Sequence, residues 1–213
     1  MSVQCCSVSA SPAVDPKYRR ALWIALFVNA NMFVAELVAS WSSGSVSLLA
    51  DSIDFFGDAA NYALSLAVVG LTLPTRSRAA IFKAACMGGF GVFVLGKVLW
   101  NMQTGVVPEA ITIGAVGFIA LAANVIVAWL LYRFRNGDAN MRSVWICSRN
   151  DAIGNVAVML AAVGVYATAS PWPDWLVAAL MSGLALTGAA SVLKQARGEL
   201  RGATAAHSAE NRH

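Results

Sequence analysis

Residues 48–66, "LLADSIDFFGDAANYALSL", place three aspartates in an otherwise apolar segment that is long enough to cross much of a membrane. At about 100° per residue, Asp51, Asp54 and Asp58 fall on one face of a helix, and Asn61 and Ser65 continue that face. Each aspartate at the centre of a bilayer costs about 2.5–3.5 kcal/mol. Such residues therefore face partners or a cavity, and they mark a path for an ion, a proton or a substrate.

The composition of the chain excludes an ordinary soluble domain. Of its 213 residues, 58% are hydrophobic and only 12% are charged, whereas a soluble domain carries about 25% charged residues. We therefore predict an all-α membrane protein, a six-transmembrane-helix bundle with spans of roughly 20 residues. The predicted spans are 19–41, 45–70, 79–101, 109–132, 143–169 and 173–195.

The distribution of basic residues predicts that both termini are cytoplasmic, because cytoplasmic loops carry the excess of lysine and arginine. Fourteen of the fifteen basic residues, Lys83 among them, lie at the ends and connections that this topology places inside; Lys97 is the exception. The net charge of +4 reflects this topology and does not indicate a nucleic-acid partner. The expected organisation is a disordered cytoplasmic tail at 1–16, one six-helix transmembrane domain at 17–195 and a short cytoplasmic tail at 196–213.

The fifth predicted span carries a second polar face in residues 147–155, "CSRNDAIGN". Cys147, Asp151 and Asn155 are spaced at intervals of four residues, as are Asp54 and Asp58 on the second span. Two such pairs on facing helices form a tetrahedral site, which ions such as zinc favour. We therefore predict a metal site with three carboxylate ligands and either Cys147 or Asn155 as the fourth. Further residues that bind the metal or contact its ligands are expected to be Asp51, Asn61 and Asn150.

These motifs resemble those of the cation diffusion facilitator transporters, above all "ADSIDFFGD" on the second span and the "D…GN" pattern on the fifth. The resemblance covers roughly residues 15–195. It implies a homodimer in a bacterial inner membrane that exports a divalent transition metal, zinc-like, in exchange for protons. The metal is cargo, and no cofactor is expected. By position, the resemblance implies a four-ligand site at Asp54, Asp58, Cys147 and Asp151.

Departures from the family pattern concern the metal ligands and the C-terminal end. Zinc-selective members commonly have histidine where this chain has Asp54 or Cys147, so cadmium, cobalt, iron and manganese stay open beside zinc. The cytoplasmic C-terminal domain of many members is expected to be absent, because the chain ends 18 residues after residue 195.

The main alternative is a membrane phosphatidyltransferase, an enzyme class that also uses intramembrane aspartates and a divalent metal. Its signature needs an Ala-Arg pair between the first aspartate and a later acidic pair spaced by glycine, and this arrangement does not follow Asp51. A structural or sensory membrane protein would not explain matched polar faces on two helices. We therefore predict a transporter that is not an enzyme.

Several other residues leave alternatives open. Glu36 and Lys97 either pair across the bundle or reach the membrane interface separately. Cys5 and Cys6 either pass a soft metal to the entrance or are bystander thiols. The third span offers a close-packing face to a dimer, formed by Gly88, Gly89, Gly91 and Gly96.

Overall fold

The computed structural model describes residues 16–67, 73–134 and 139–210, without the side chains of 73–76, 139–147, 149–150, 199 and 201–210. The described part of the chain forms helices joined by short turns and contains no strand. The predicted all-α bundle is confirmed, since every predicted span overlaps one helix. The helices are α1 (Pro16–Ser43), α2 (Val46–Ala67), α3 (Leu73–Thr104), α4 (Ala110–Tyr132), α5 (Ala139–Thr168) and α6 (Trp172–Glu210).

Five of these helices, all except α2, are long and apolar enough to cross a membrane. Their outward faces carry large apolar side chains such as Trp41, Phe82 and Trp129, which suit contact with lipid. The chain is thus a multi-pass membrane protein. The cytoplasmic location of both termini stays a prediction. One boundary differs clearly from expectation, because α6 continues as a helix to Glu210, through most of the predicted tail.

Helix α2 lies at the centre of the bundle. Fourteen of its 22 residues are buried, against six of 23 in α4. It packs against α1, α3, α5 and α6, while α3 pairs closely with α6 and α4 with α5. The helix that carries three aspartates is therefore enclosed by four other helices, so its polar face meets protein groups.

The N-terminus of α2 is capped by a side chain from α6. Asp174 is completely buried, and its Oδ1 accepts hydrogen bonds from the hydroxyls of Ser45 (2.6 Å) and Ser47 (2.5 Å). Its Oδ2 accepts a hydrogen bond from the backbone N–H of Val46 at 2.8 Å. These contacts satisfy N–H groups that a helix start leaves unpaired, and the negative charge complements the helix dipole. The cap fixes the position of α2 and of its aspartates.

Candidate metal centre

The structure brings together one carboxylate from α2 and one from α5. Asp58 is buried, and its side chain interacts directly with that of Asp151. The hydroxyl of Tyr62, one turn further along α2, donates to Asp58 Oδ2 at 3.3 Å. The same hydroxyl lies 2.7 Å from Ser148 Oγ, one turn before Asp151 on α5. Two acidic and two hydroxyl groups thus join the polar faces of the two helices.

Asp54 lies on the same face of α2, between Asp51 and Asp58, and interacts electrostatically with both. Its side chain is half-buried. Among the described side chains, no three of His, Cys, Asp and Glu stand close enough together to hold one metal ion. An ion bound by Asp54, Asp58 and Asp151 would therefore draw these carboxylates closer together.

A second polar cluster lies on the N-terminal side of Asp54 and joins four helices. Asn155 Nδ2 donates to Asp51 Oδ2 at 2.5 Å, and Asn124 Nδ2 of α4 donates to Asn155 Oδ1 at 2.8 Å. Glu36 of α1 places its carboxyl group beside that of Asp51. All four side chains are at most 3% exposed. In this arrangement Asn155 contacts Asp51, and both of its polar atoms are hydrogen-bonded.

The position of Glu36 differs from both predicted alternatives. It neither pairs with Lys97, which is exposed on α3, nor reaches the membrane interface, because it is completely buried beside Asp51. The cause is the central position of α2, which turns the polar face of α1 inward.

Asn61 and Lys83 form a polar contact between α2 and α3. The Lys83 ammonium donates a hydrogen bond to Asn61 Oδ1. Lys83 is only 7% exposed and lies within electrostatic range of Asp58. Its assignment to the basic residues of a cytoplasmic connection is wrong, since Lys83 is buried against the polar face of α2.

Some predicted residues lie outside the part of the chain that the structure describes. Cys147 and Asn150 belong to α5, but their side chains are outside the described residues, as are Cys5 and Cys6. The metal site of Asp54, Asp58, Asp151 and Cys147 therefore stays a prediction.

Sequence reasoning missed four groups at this centre: Tyr62, Lys83, Asn124 and Ser148. Two of them had a local signal, because Tyr62 follows Asp58 by four residues and Ser148 precedes Asp151 by three. Asn124 is an isolated amide in the otherwise apolar α4, and a polar group of this kind usually hydrogen-bonds a neighbouring helix. Lys83 gave no such signal.

Comparison with known protein families decides where the chain belongs. The model of the cation efflux transmembrane domain matches residues 22–200, which is most of the chain and includes all of α2 and α5. The chain belongs to the cation efflux family.

Three curated bacterial proteins illustrate the similarity, each at low sequence identity to this chain. The chain is similar to the metal cation efflux system protein CzcD of Cupriavidus metallidurans, with 22% identity over 76% of this chain and 55% of the relative. It is similar to the zinc transporter ZitB of Yersinia pseudotuberculosis, with 26% identity over 91% of this chain and 66% of the relative. A cadmium, cobalt and zinc/H(+)-K(+) antiporter of Bacillus subtilis is 21% identical over 83% of this chain and 61% of the relative. The chain thus spans just over half to about two thirds of the length of these relatives.

Proposed function

We propose that this member of the cation efflux family exports a divalent transition-metal cation from the cytoplasm in exchange for protons. The observation that carries the proposal is the contact between Asp58 of α2 and Asp151 of α5 inside a membrane bundle. Two neighbouring carboxylates in surroundings of low dielectric constant need a bound cation or protons to offset their charge. A site that accepts either one can exchange them.

The proposed ligands are Asp54, Asp58, Asp151 and Cys147, with Asn155 as the alternative to the thiol. Protons and metal would compete for the same carboxylate oxygens, so the site titrates as a unit. If the site opens alternately to each side of the membrane, an inward proton gradient drives the metal outward. Coupling of metal export to proton entry therefore needs no residues other than the metal ligands.

The names of the relatives support a zinc-like substrate. The Yersinia relative is a zinc transporter, and the Bacillus relative is an antiporter for cadmium, cobalt and zinc. We place zinc first for this chain, followed by cadmium and cobalt, with iron and manganese as harder alternatives. The proposed location is a bacterial inner membrane, and the proposed assembly is a homodimer.

A transport assay in proteoliposomes tests the proposal. Zinc is added outside vesicles that contain a zinc dye and a pH dye, and entry of zinc should be accompanied by a rise in lumenal pH as protons leave. Zinc entry at an unchanged lumenal pH would exclude proton exchange but leave export intact. Zinc entry no faster than in protein-free vesicles would overturn the transport function.

The same preparation distinguishes the phosphatidyltransferase alternative. Incubation with a CDP-activated lipid, an alcohol acceptor and magnesium should leave the lipid unchanged if the protein is a transporter. Formation of a new phospholipid that depends on Asp58 would favour the enzyme instead.

A further inference from the structure

Lys83 is a buried cation beside the proposed metal site, and the proposed transport function does not yet give it a role. Its side chain is only 7% exposed, although a lysine buried without compensation is costly and is rare within a membrane. The other lysine of α3, Lys97, is exposed. Of these two lysines on α3, Lys83 is thus buried and Lys97 is exposed.

The local packing of α2 and α3 holds Lys83 at the polar face of α2. The two helices pass closely at Gly57, where an added Cβ would lie 3.1 Å from Met87 Cε. Lys83 precedes Met87 by one turn, and Asn61 follows Gly57 by one turn, so the antiparallel helices bring these two residues opposite each other. The ammonium donates to Asn61 Oδ1. Asn61 itself is one turn from Asp58.

Carboxylates of the proposed metal site lie near Lys83. Asp58 lies within electrostatic range of the ammonium and contacts Asp151, and Asp54 interacts with Asp58. Tyr62 adds a neutral hydroxyl to Asp58. Among the described side chains, the monovalent ammonium of Lys83 therefore stands beside the carboxylates that the proposed function gives to a divalent ion. Both cations are attracted to the same carboxylates and repel each other.

We propose that the Lys83 ammonium is a tethered counter-cation that partly neutralises the Asp58–Asp151 pair while the site is empty and moves away when a divalent metal binds. This inference rests on the proposed function, because it assumes that metal binds at these carboxylates. The flexible four-carbon stem of lysine allows the ammonium to turn towards the surface without movement of α3. The tethered charge weakens metal binding and so speeds release, which a transporter needs because an ion held too tightly does not leave.

The first test measures equilibrium binding of zinc to the full chain in lipid nanodiscs. Lys83→Gln removes the charge and should tighten zinc binding by about tenfold or more, while turnover at saturating zinc falls. Lys83→Arg keeps the charge and should bind zinc within about threefold of wild type. Lys97→Gln is the matched control on the same helix and should match wild type in binding and turnover. If Lys83→Gln binds zinc no more tightly than Lys97→Gln does, the inference is wrong.

A second measurement uses the wild-type protein, so that it does not depend on the folding of a variant. Lysines are labelled with a brief pulse of an amine-reactive reagent, with and without zinc, and modification of Lys83 and Lys97 is quantified by mass spectrometry. Zinc should raise the labelling of Lys83 by about threefold or more, because the displaced ammonium becomes accessible, and should leave Lys97 unchanged. Equal or lower labelling of Lys83 with zinc would overturn the inference.

Failure of the proposed transport function and failure of the counter-cation role of Lys83 would give different results. If wild-type protein neither binds nor transports zinc, cadmium, cobalt, iron or manganese, the proposed function fails. If zinc binds in a manner that depends on Asp58 while either Lys83 measurement gives the contrary result, only the counter-cation role fails.

Discussion

The Asp58 carboxylate accepts a hydrogen bond from Tyr62, interacts with Asp151 and lies within electrostatic range of Lys83. Asp58→Asn keeps the shape of the side chain and an oxygen for Tyr62 but removes the negative charge. A contact between a buried carboxylate and a bound metal cation is worth several kcal/mol. We therefore expect zinc transport to fall by about 100-fold or more. Flux into zinc-dye vesicles, normalised to reconstituted protein, measures this change.

The matched control for Asp58→Asn is Glu109→Gln, which removes an exposed carboxylate at the start of α4. It should transport zinc at the wild-type rate. Wild-type flux in Asp58→Asn would show that this carboxylate is not a ligand.

Cys147 is the proposed ligand whose chemistry most affects the choice of metal. A thiolate favours zinc and cadmium over manganese, whereas a site completed by Asn155 would favour harder ions. We expect Cys147→Ser to lose cadmium transport by about tenfold more than manganese transport, and Cys147→His to retain zinc. Separate flux assays with the three metals measure the ratio. The same selectivity in all three proteins would mean that Cys147 only packs and that Asn155 or water completes the site.

At the scale of helices, α2 depends on α6 for its N-terminal cap. Asp174→Ala removes the acceptor for two serine hydroxyls and the Val46 N–H, all of them buried. The loss of a helix cap costs about 0.5–2 kcal/mol, and buried donors without partners add about 1–3 kcal/mol each. We therefore expect a lower midpoint of thermal unfolding in detergent and slower zinc flux, since the aspartates of α2 lose their fixed position.

Glu109→Ala is the matched control for this cap. Glu109 occupies the N-cap position of α4, but its carboxylate accepts no hydrogen bond from a backbone N–H there and instead accepts one from the hydroxyl of Thr112, at 2.7 Å. Its removal should leave the unfolding midpoint within about a degree of wild type, since surface substitutions usually change stability by less than about 0.5 kcal/mol. If Asp174→Ala unfolds at the wild-type midpoint, the cap does not stabilise α2.

At the scale of the whole molecule, the glycine face predicted for the dimer is divided between two sides of α3. Gly88 and Gly91 face α6, where added Cβ atoms would contact Ala189 and Leu186. Around Gly89 and Gly96, no heavy atom of the described residues lies within 4 Å of an added Cβ. These two glycines are seven residues apart, so they share one face of the helix, and small residues of this kind allow membrane helices to approach closely.

We expect wild-type protein to be dimeric in lipid and Gly96→Trp to be monomeric, because the indole ring would keep two α3 helices apart. Mass measurement of the protein in nanodiscs reports the assembly. Val163→Trp, which enlarges an exposed apolar side chain on α5, should remain dimeric. Wild-type protein that transports zinc as a monomer would refute the dimer, and a dimeric Gly96→Trp would place its interface elsewhere.

The six helices and the shared face of Asp51, Asp54 and Asp58 followed from sequence alone. Both depend on local properties of the chain, namely the length of apolar segments and the 3.6-residue period of a helix. The proximity of Asp58 and Asp151 also followed from matching two polar faces. The ends of the helices did not follow from sequence in the same way, because α6 extends to Glu210, beyond the predicted end at residue 195.

Only the tertiary structure decided which polar groups meet. Asp174 caps a helix that begins 128 residues earlier in the chain, Asn155 reaches Asp51 across 104 residues, and Lys83 turns inward to Asn61. Helical periodicity gives the face on which a side chain lies, but it does not give the neighbour that covers this face. That neighbour is determined by how six helices of similar composition pack together, because each buried polar group must find a partner within the bundle.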